Sequence, residues 1–201
     1  MLTKRTASWS MGVLCMSIAK RFKEDPVEQI RDFSNCLEQG QSITSELYVF
    51  LKRTKLNKEA IEFLLSDEGL RKSLVETCVF SNGAKISPLY PLLQKNRLIN
   101  KNQMDIILSD KRLRESLGET CVFSDGAKTS PLYWLLQDEK LDKNQMDIIL
   151  SDKRLRESLG ETCVFSDGAK TSPLYWLLQD EKLDKNQMDI ILSDKRLRES
   201  L

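Results

Sequence analysis

Residues 109–150 read SDKRLRESLGETCVFSDGAKTSPLYWLLQDEKLDKNQMDIIL, and residues 151–192 repeat them without one change. Internal repetition on this scale signals an array of stacked units and outranks every other feature of a sequence. A diverged copy, SPLYPLLQKNRLINKNQMDIILSDKRLRESL, runs upstream from Ser87 to Leu117, and a more diverged one, TSELYVFLKRTKLNKEAIEFLLSDEGLRKSL, from Thr44 to Leu74. The helical part of the unit therefore occurs four times, over 44–74, 86–117, 129–159 and 171–201.

The identical copies count as one observation, so three distinct copies define what the unit needs. Leu47, Leu89 and Leu132 agree, as do Tyr48, Tyr90 and Tyr133, followed by Leu56, Leu98 and Leu141, then Ile61, Met104 and Met146. The second copy carries one extra residue near Ile99, between apolar blocks, which marks a loop.

Within the third copy, Ser130-Pro131 reads as a serine cap with proline at the first helical position. Leu132, Leu135 and Leu136 then form an i, i+3, i+4 stripe on a helix ending near Lys140. Asp142 and Gln145 have the spacing of a capping box, and Met146, Ile149 and Leu150 repeat the stripe. Ser151 or Asp152 starts a shorter third helix presenting Leu155 and Leu159, with Gly160 placed for a left-handed C-terminal cap. Thr120 to Phe123 is β-branched and apolar, and Ser124-Asp125-Gly126 reads as a tight turn in which Asp and Gly both tolerate positive φ. Each unit is thus two helices, a short third helix and an extended finger.

About eight apolar side chains per 42 residues do not offset the entropy of ordering one unit, so neighbours must share a core. The expected fold class is all-α, a helical repeat solenoid. Its units are 44–85, 86–128, 129–170 and 171–201, preceded by a helical cap over 1–43 in which Val27, Ile30, Phe33 and Leu37 form a stripe.

The stretch Asp125-Gly126 through Ser130-Pro131-Leu132-Tyr133 resembles the opening of an ankyrin repeat. That family pairs an aspartate-glycine finger with threonine-proline-leucine-histidine and two antiparallel helices. Here tyrosine replaces the histidine, two extra residues separate Gly126 from Pro131, and the unit is lengthened by its third helix. The resemblance implies a recognition array without cofactor. Its lengthened, near-identical repeats are similar in style to those of secreted effectors of intracellular bacteria, which implies delivery into a host cell. Armadillo or HEAT arrays remain the alternative for a three-helix unit.

Composition narrows the function. The 201-residue chain has 31 basic and 30 acidic residues, net +1. Residues 109–150 carry eight acids against six bases, which argues against a nucleic-acid partner. Histidine is absent, removing the usual general base and metal ligand, and no phosphate-cradling loop or nucleophile motif occurs. No enzyme activity and no metal or other cofactor is expected.

Cys78, Cys121 and Cys163 recur at the repeat spacing. Stacked helices hold equivalent atoms about 8–10 Å apart, whereas a disulfide needs Cα atoms within about 7 Å. These cysteines read as buried thiols of a cytoplasmic, reducing compartment.

The partner-binding candidates are Trp134 and Trp176, at a position held by Val49 and Pro91 in the other copies, and Arg114 and Arg156 in the row with Arg71 and Arg198. Tryptophans one unit apart on one face would suit a protein-binding hot spot; the bland alternative is a half-exposed helix position. The arginines read as a solvated face or as partners of the nearby Asp67, Asp110, Asp152 and Asp194. The four tyrosines read as packing between units with their hydroxyls hydrogen-bonded.

Residues 1–23 carry Lys4, Arg5, Lys20, Arg21 and Lys23 and no acid, around an apolar run too short to span a membrane. Capping the first unit, touching an anionic membrane and serving as a secretory signal stay open for this segment. At the other end no polar capping unit follows the last copy, so self-association through it is an alternative purpose of the array.

Overall fold

The computed structural model describes residues 25–95, 99–138, 141–179 and 183–201. The readings of the 1–23 segment and of a helix end near Lys140 lie outside these residues. The first described element is α1 (Pro26–Glu38), opened by the Asp25 carboxylate accepting from the Val27 N–H at 3.0 Å. It buries Val27, Ile30, Phe33 and Cys36 on one face.

The first unit comprises α2 (Thr44–Arg53), α3 (Lys58–Ser66), α4 (Glu68–Val75), β1 (Cys78–Val79) and β2 (Lys85–Ile86). The second comprises α5 (Leu89–Lys95), α6 (Lys101–Ser109), α7 (Lys111–Leu117), β3 (Cys121–Val122) and β4 (Lys128–Thr129). The third repeats it with α8 (Pro131–Asp138), α9 (Lys143–Ser151), α10 (Lys153–Leu159), β5 (Cys163–Val164) and β6 (Lys170–Thr171). The last holds α11 (Pro173–Leu178), α12 (Lys185–Ser193) and α13 (Lys195–Glu199).

The chain is mostly helical, but the all-α expectation needs one addition. The fingers are antiparallel hairpins, and they join edge to edge into one six-stranded sheet in the order β1 to β6. Lys85 pairs with Val122 and Lys128 with Val164, so each hairpin is bonded to the next. Two-residue strands are too short to hold alone; pairing across units satisfies their backbone groups.

Three local readings change. Ser172, before α11, makes no side-chain cap bond, and among the described residues the Ser130 hydroxyl is buried without a hydrogen-bond partner, so proline rather than serine starts these helices. Gly160 has φ −84° and ψ −7°, ordinary right-handed backbone. Its lack of a side chain serves close approach instead, since a Cβ there would sit 3.0 Å from the Ser200 hydroxyl. In the finger only Gly126 has positive φ, at 86°. Phe123 N–H donates to the Ala127 carbonyl at 2.9 Å and Gly126 N–H to the Phe123 carbonyl at 3.1 Å, which makes a three-residue loop ending in a left-handed glycine. The residue before the α6 cap, in the place held by Leu56 and Leu141, is the buried Ile99, and Leu98 lies outside the described residues.

The capping box at Asp142 and Gln145 is present, and recurs at Asn100–Gln103 and Asp184–Gln187. Asp152, not Ser151, caps α10, accepting from the Arg154 and Leu155 N–H groups. Each helix packs on its counterpart in the next unit: α2, α5, α8 and α11 form one row, α3, α6, α9 and α12 a second, and α4, α7, α10 and α13 a third. One apolar core runs from Val27 to Leu197, with α1 covering α3 and α4 at its start. A smaller core beneath the fingers contains Tyr48, Cys78, Ile86, Tyr90 and Cys121.

Candidate interaction surface

Where the first helices meet the hairpins, aromatic side chains form a continuous row. Each tyrosine lies against the phenylalanine of the finger that follows it: Tyr48–Phe80, Tyr90–Phe123 and Tyr133–Phe165, with ring centroids 5.1, 5.1 and 5.2 Å apart. Tyr48, Tyr90 and Tyr133 are buried. Tyr90 accepts from Gln94 Nε2 at 3.5 Å. Burial pushes its phenol well up, with the Trp134 side chain pulling it partly back.

Trp134 and Trp176 are wedged into this row. Trp134 meets Tyr90 and Tyr133 edge-on at 6.1 and 5.3 Å, and Trp176 meets Tyr133 and Tyr175 at 6.1 and 5.2 Å. Both are half-buried and lie one unit apart on the same side. Both indole nitrogens are buried; the Trp134 N–H interacts with the Tyr90 hydroxyl, and the Trp176 N–H finds no hydrogen-bond acceptor among the described residues. The copies with Val49 and Pro91 leave this part of the row narrower. Each tryptophan is thus held between neighbouring rings while staying partly exposed.

The arginine row is built differently. Arg114 donates from Nη1 to the Leu108 carbonyl at the end of α6 (2.7 Å) and from Nε to Asp152 of the next unit (2.8 Å). Arg71 does the same with Leu65 and Asp110, and Arg156 with Leu150 and, at 3.7 Å, Asp194. Each arginine closes the second helix of its own unit and grips the cap of the following one. Its aspartate is one unit further on than sequence proximity suggests. In the first unit the cap residue Asp67 accepts from the Ser34 hydroxyl of α1.

A second row escaped the sequence reading. Gln145 closes its capping box through Oε1, and its Nε2 donates to Asp105 of the preceding unit at 2.8 Å. Gln187 does likewise with Asp147 (2.8 Å), and Gln103 reaches the Lys58 carbonyl (3.2 Å). Lys101–Asp142 and Lys143–Asp184, both 2.7 Å, run alongside. The signal available in sequence was the persistence of glutamine at this position in every unit but the first, where Ala60 stands.

Elsewhere, a polar groove of about 280 Å³ lies between α7 and α10, lined by Glu115, Glu119, Thr120, Arg154 and Glu157 among others. Burial raises the Glu119 carboxyl, with Arg154 opposing. Cys78, Cys121 and Cys163 are buried free thiols. Burial pushes the Cys121 thiol up to about 11. Among the described residues no three His, Cys, Asp or Glu side chains are grouped to hold a metal ion, and no helix is long and apolar enough to cross a membrane. No known protein family, no curated protein and no solved structure matches the chain.

Proposed function

We propose that the chain is a helical repeat solenoid, ankyrin-like in style, which recognises a protein partner along its aromatic row and performs no chemistry. The observation that carries this reading is the pair Trp134 and Trp176, set one unit apart and half-buried on a row of packed rings. Amphipathic rings held rigid by their neighbours lose little entropy on binding, which is what interface anchors require. Hairpins between units favour the ankyrin-like form over armadillo or HEAT arrays, whose units are helices alone. Buried, unpaired thiols suit a reducing compartment such as a cytoplasm, that of a host cell included. Arg114 and Arg156 act between units and are set aside as partner contacts, since both guanidinium groups are engaged within the chain.

Replacing Trp134 and Trp176 together by valine, the residue the first unit holds at this position, tests the proposal. The double variant should keep its thermal melt and lose the proteins that the parent chain captures by crosslinking in a lysate. Capture unchanged by the double substitution would remove the aromatic row as the binding surface.

A further inference from the structure

The outward face of the hairpin sheet carries a single row of side chains. Directly opposed residues of neighbouring strands share a face, and the register opposes Val79 to Lys85, Lys85 to Val122, Val122 to Lys128, Lys128 to Val164 and Val164 to Lys170. Cys78, Ile86 and Cys121, the next residues along the strands, belong to the tyrosine core, so the row points away from that core. Valine and lysine therefore alternate across all six strands. Val79 is 70% exposed, the three lysines are exposed, and Val122 and Val164 are half-buried with a lysine on either side. The two versions of the finger differ at Asn82 or Asp125 and at Ile86 or Thr129, yet both keep this valine and this lysine.

The charge on the row is not spent within the chain. Among the described residues Lys85, Lys128 and Lys170 form no ion pair, whereas Arg71, Arg114 and Arg156 all do. The carboxylates nearest in sequence are engaged elsewhere. Glu76 accepts from Thr44 and Glu161 from Thr120, Asp125 and Asp167 accept from the alanine N–H groups of their own turns, and Glu119 lines the groove beside Arg154.

We infer that this row docks an acidic amphipathic helix of a protein partner, laid across the strands. Strands stand about 4.8 Å apart, so successive lysines are about 9.6 Å apart with a valine midway. On one face of an α-helix, residues i and i+7 are about 10.5 Å apart, with i+3 and i+4 between them. Carboxylates at i, i+7 and i+14 meet the three lysines, and apolar residues at i+3 or i+4 and at i+10 or i+11 meet Val122 and Val164. An extended chain, whose same-face side chains repeat at about 6.8 Å, falls out of step within one unit. The strands are two residues long, so the strip has room for one such element. The inference goes beyond the aromatic row and does not rest on it, since Trp134 packs on the inner side of the hairpins.

Fluorescence anisotropy of a labelled synthetic helix with the full chain tests it. The probe carries glutamates at i, i+7 and i+14 and leucines at i+3, i+4, i+10 and i+11 on an alanine and glutamine background; a second peptide has the same composition in scrambled order. The patterned helix should bind saturably and release with added salt, and the scrambled one should bind at least about tenfold more weakly. Lys85→Glu with Lys128→Glu should abolish binding and leave the thermal melt unchanged. Should charge reversal unsettle the hairpins, Lys85→Gln with Lys128→Gln should weaken binding by about fivefold. The Trp134→Val, Trp176→Val variant should bind the probe as the parent does. No binding by the parent chain, equal binding of the two peptides, or full binding by a folded lysine variant overturns the inference. So does loss of binding in the tryptophan variant, which would place the probe on the aromatic row, and so does tighter binding of a short oligothymidylate, which would make the row a polyanion site.

Discussion

Gln145 does two things with one side chain: its Oε1 accepts from the Asp142 N–H, completing the capping box of α9, and its Nε2 donates to Asp105 of the neighbouring unit. It is 4% exposed, so water cannot replace what it provides. Gln145→Ala should cost about 1–3 kcal/mol, the usual range for stranding buried polar groups. A double-mutant cycle with Asp105→Ala, measured by urea unfolding, should return a coupling energy clearly different from zero; additive losses would place the cost in the cap alone. The capping role was legible in the spacing Asp142–Gln145, because it is local. The second bond was not, because nothing in a linear pattern says which residue 40 positions earlier lies opposite. Gly160 and Ser130 were misread for the same reason: a glycine after a helix and a serine before a proline have strong local meanings, and here packing decides both.

Among the elements, the third helix of the later units starts at an aspartate that the preceding unit's arginine grips. Burial pushes the Asp152 carboxyl up, but the Leu155 and Arg154 N–H groups and the Arg114 guanidinium outweigh it and hold the group below its ordinary value of 3.8. A carboxylate depressed in the folded state stabilises above its unfolded pKa, and that contribution fades as pH falls through the folded value. Stability should therefore drop on going from about pH 5 to about pH 3, and drop less in Arg114→Met, where less of the depression exists to lose. Denaturant melts at the two pH values measure it; an identical drop in both proteins would exclude Arg114 as a contributor. The helices and fingers themselves were legible from periodicity and from the Asp-Gly turn. The sheet was not, since two-residue strands such as β3 and β4 pair within their own hairpin, and nothing in a linear pattern says that neighbouring hairpins join edge to edge. The tryptophans stood out in sequence as a change from Val49 and Pro91, yet their wedging between tyrosines became visible only with the rings in place.

For the whole molecule, the exact duplication supplies its own control. Leu150 and Leu192 share sequence surroundings and differ in burial, 0% against 45% exposed. Leu150→Ala should cost about 2–5 kcal/mol, the range for a core leucine. Leu192→Ala should cost well under half as much. Equal costs would mean that the two copies do not differ in burial as described.

Because the bonds joining the third copy to the fourth are written inside the repeated 42 residues, the joint travels with the block. Splicing in one more block would bring its own glutamine, arginine and hairpin, already matched to whatever stands before and after. The molecule can thus be lengthened by copying alone, with no compensating change anywhere else, and its reach is a quantity that a single recombination event can alter.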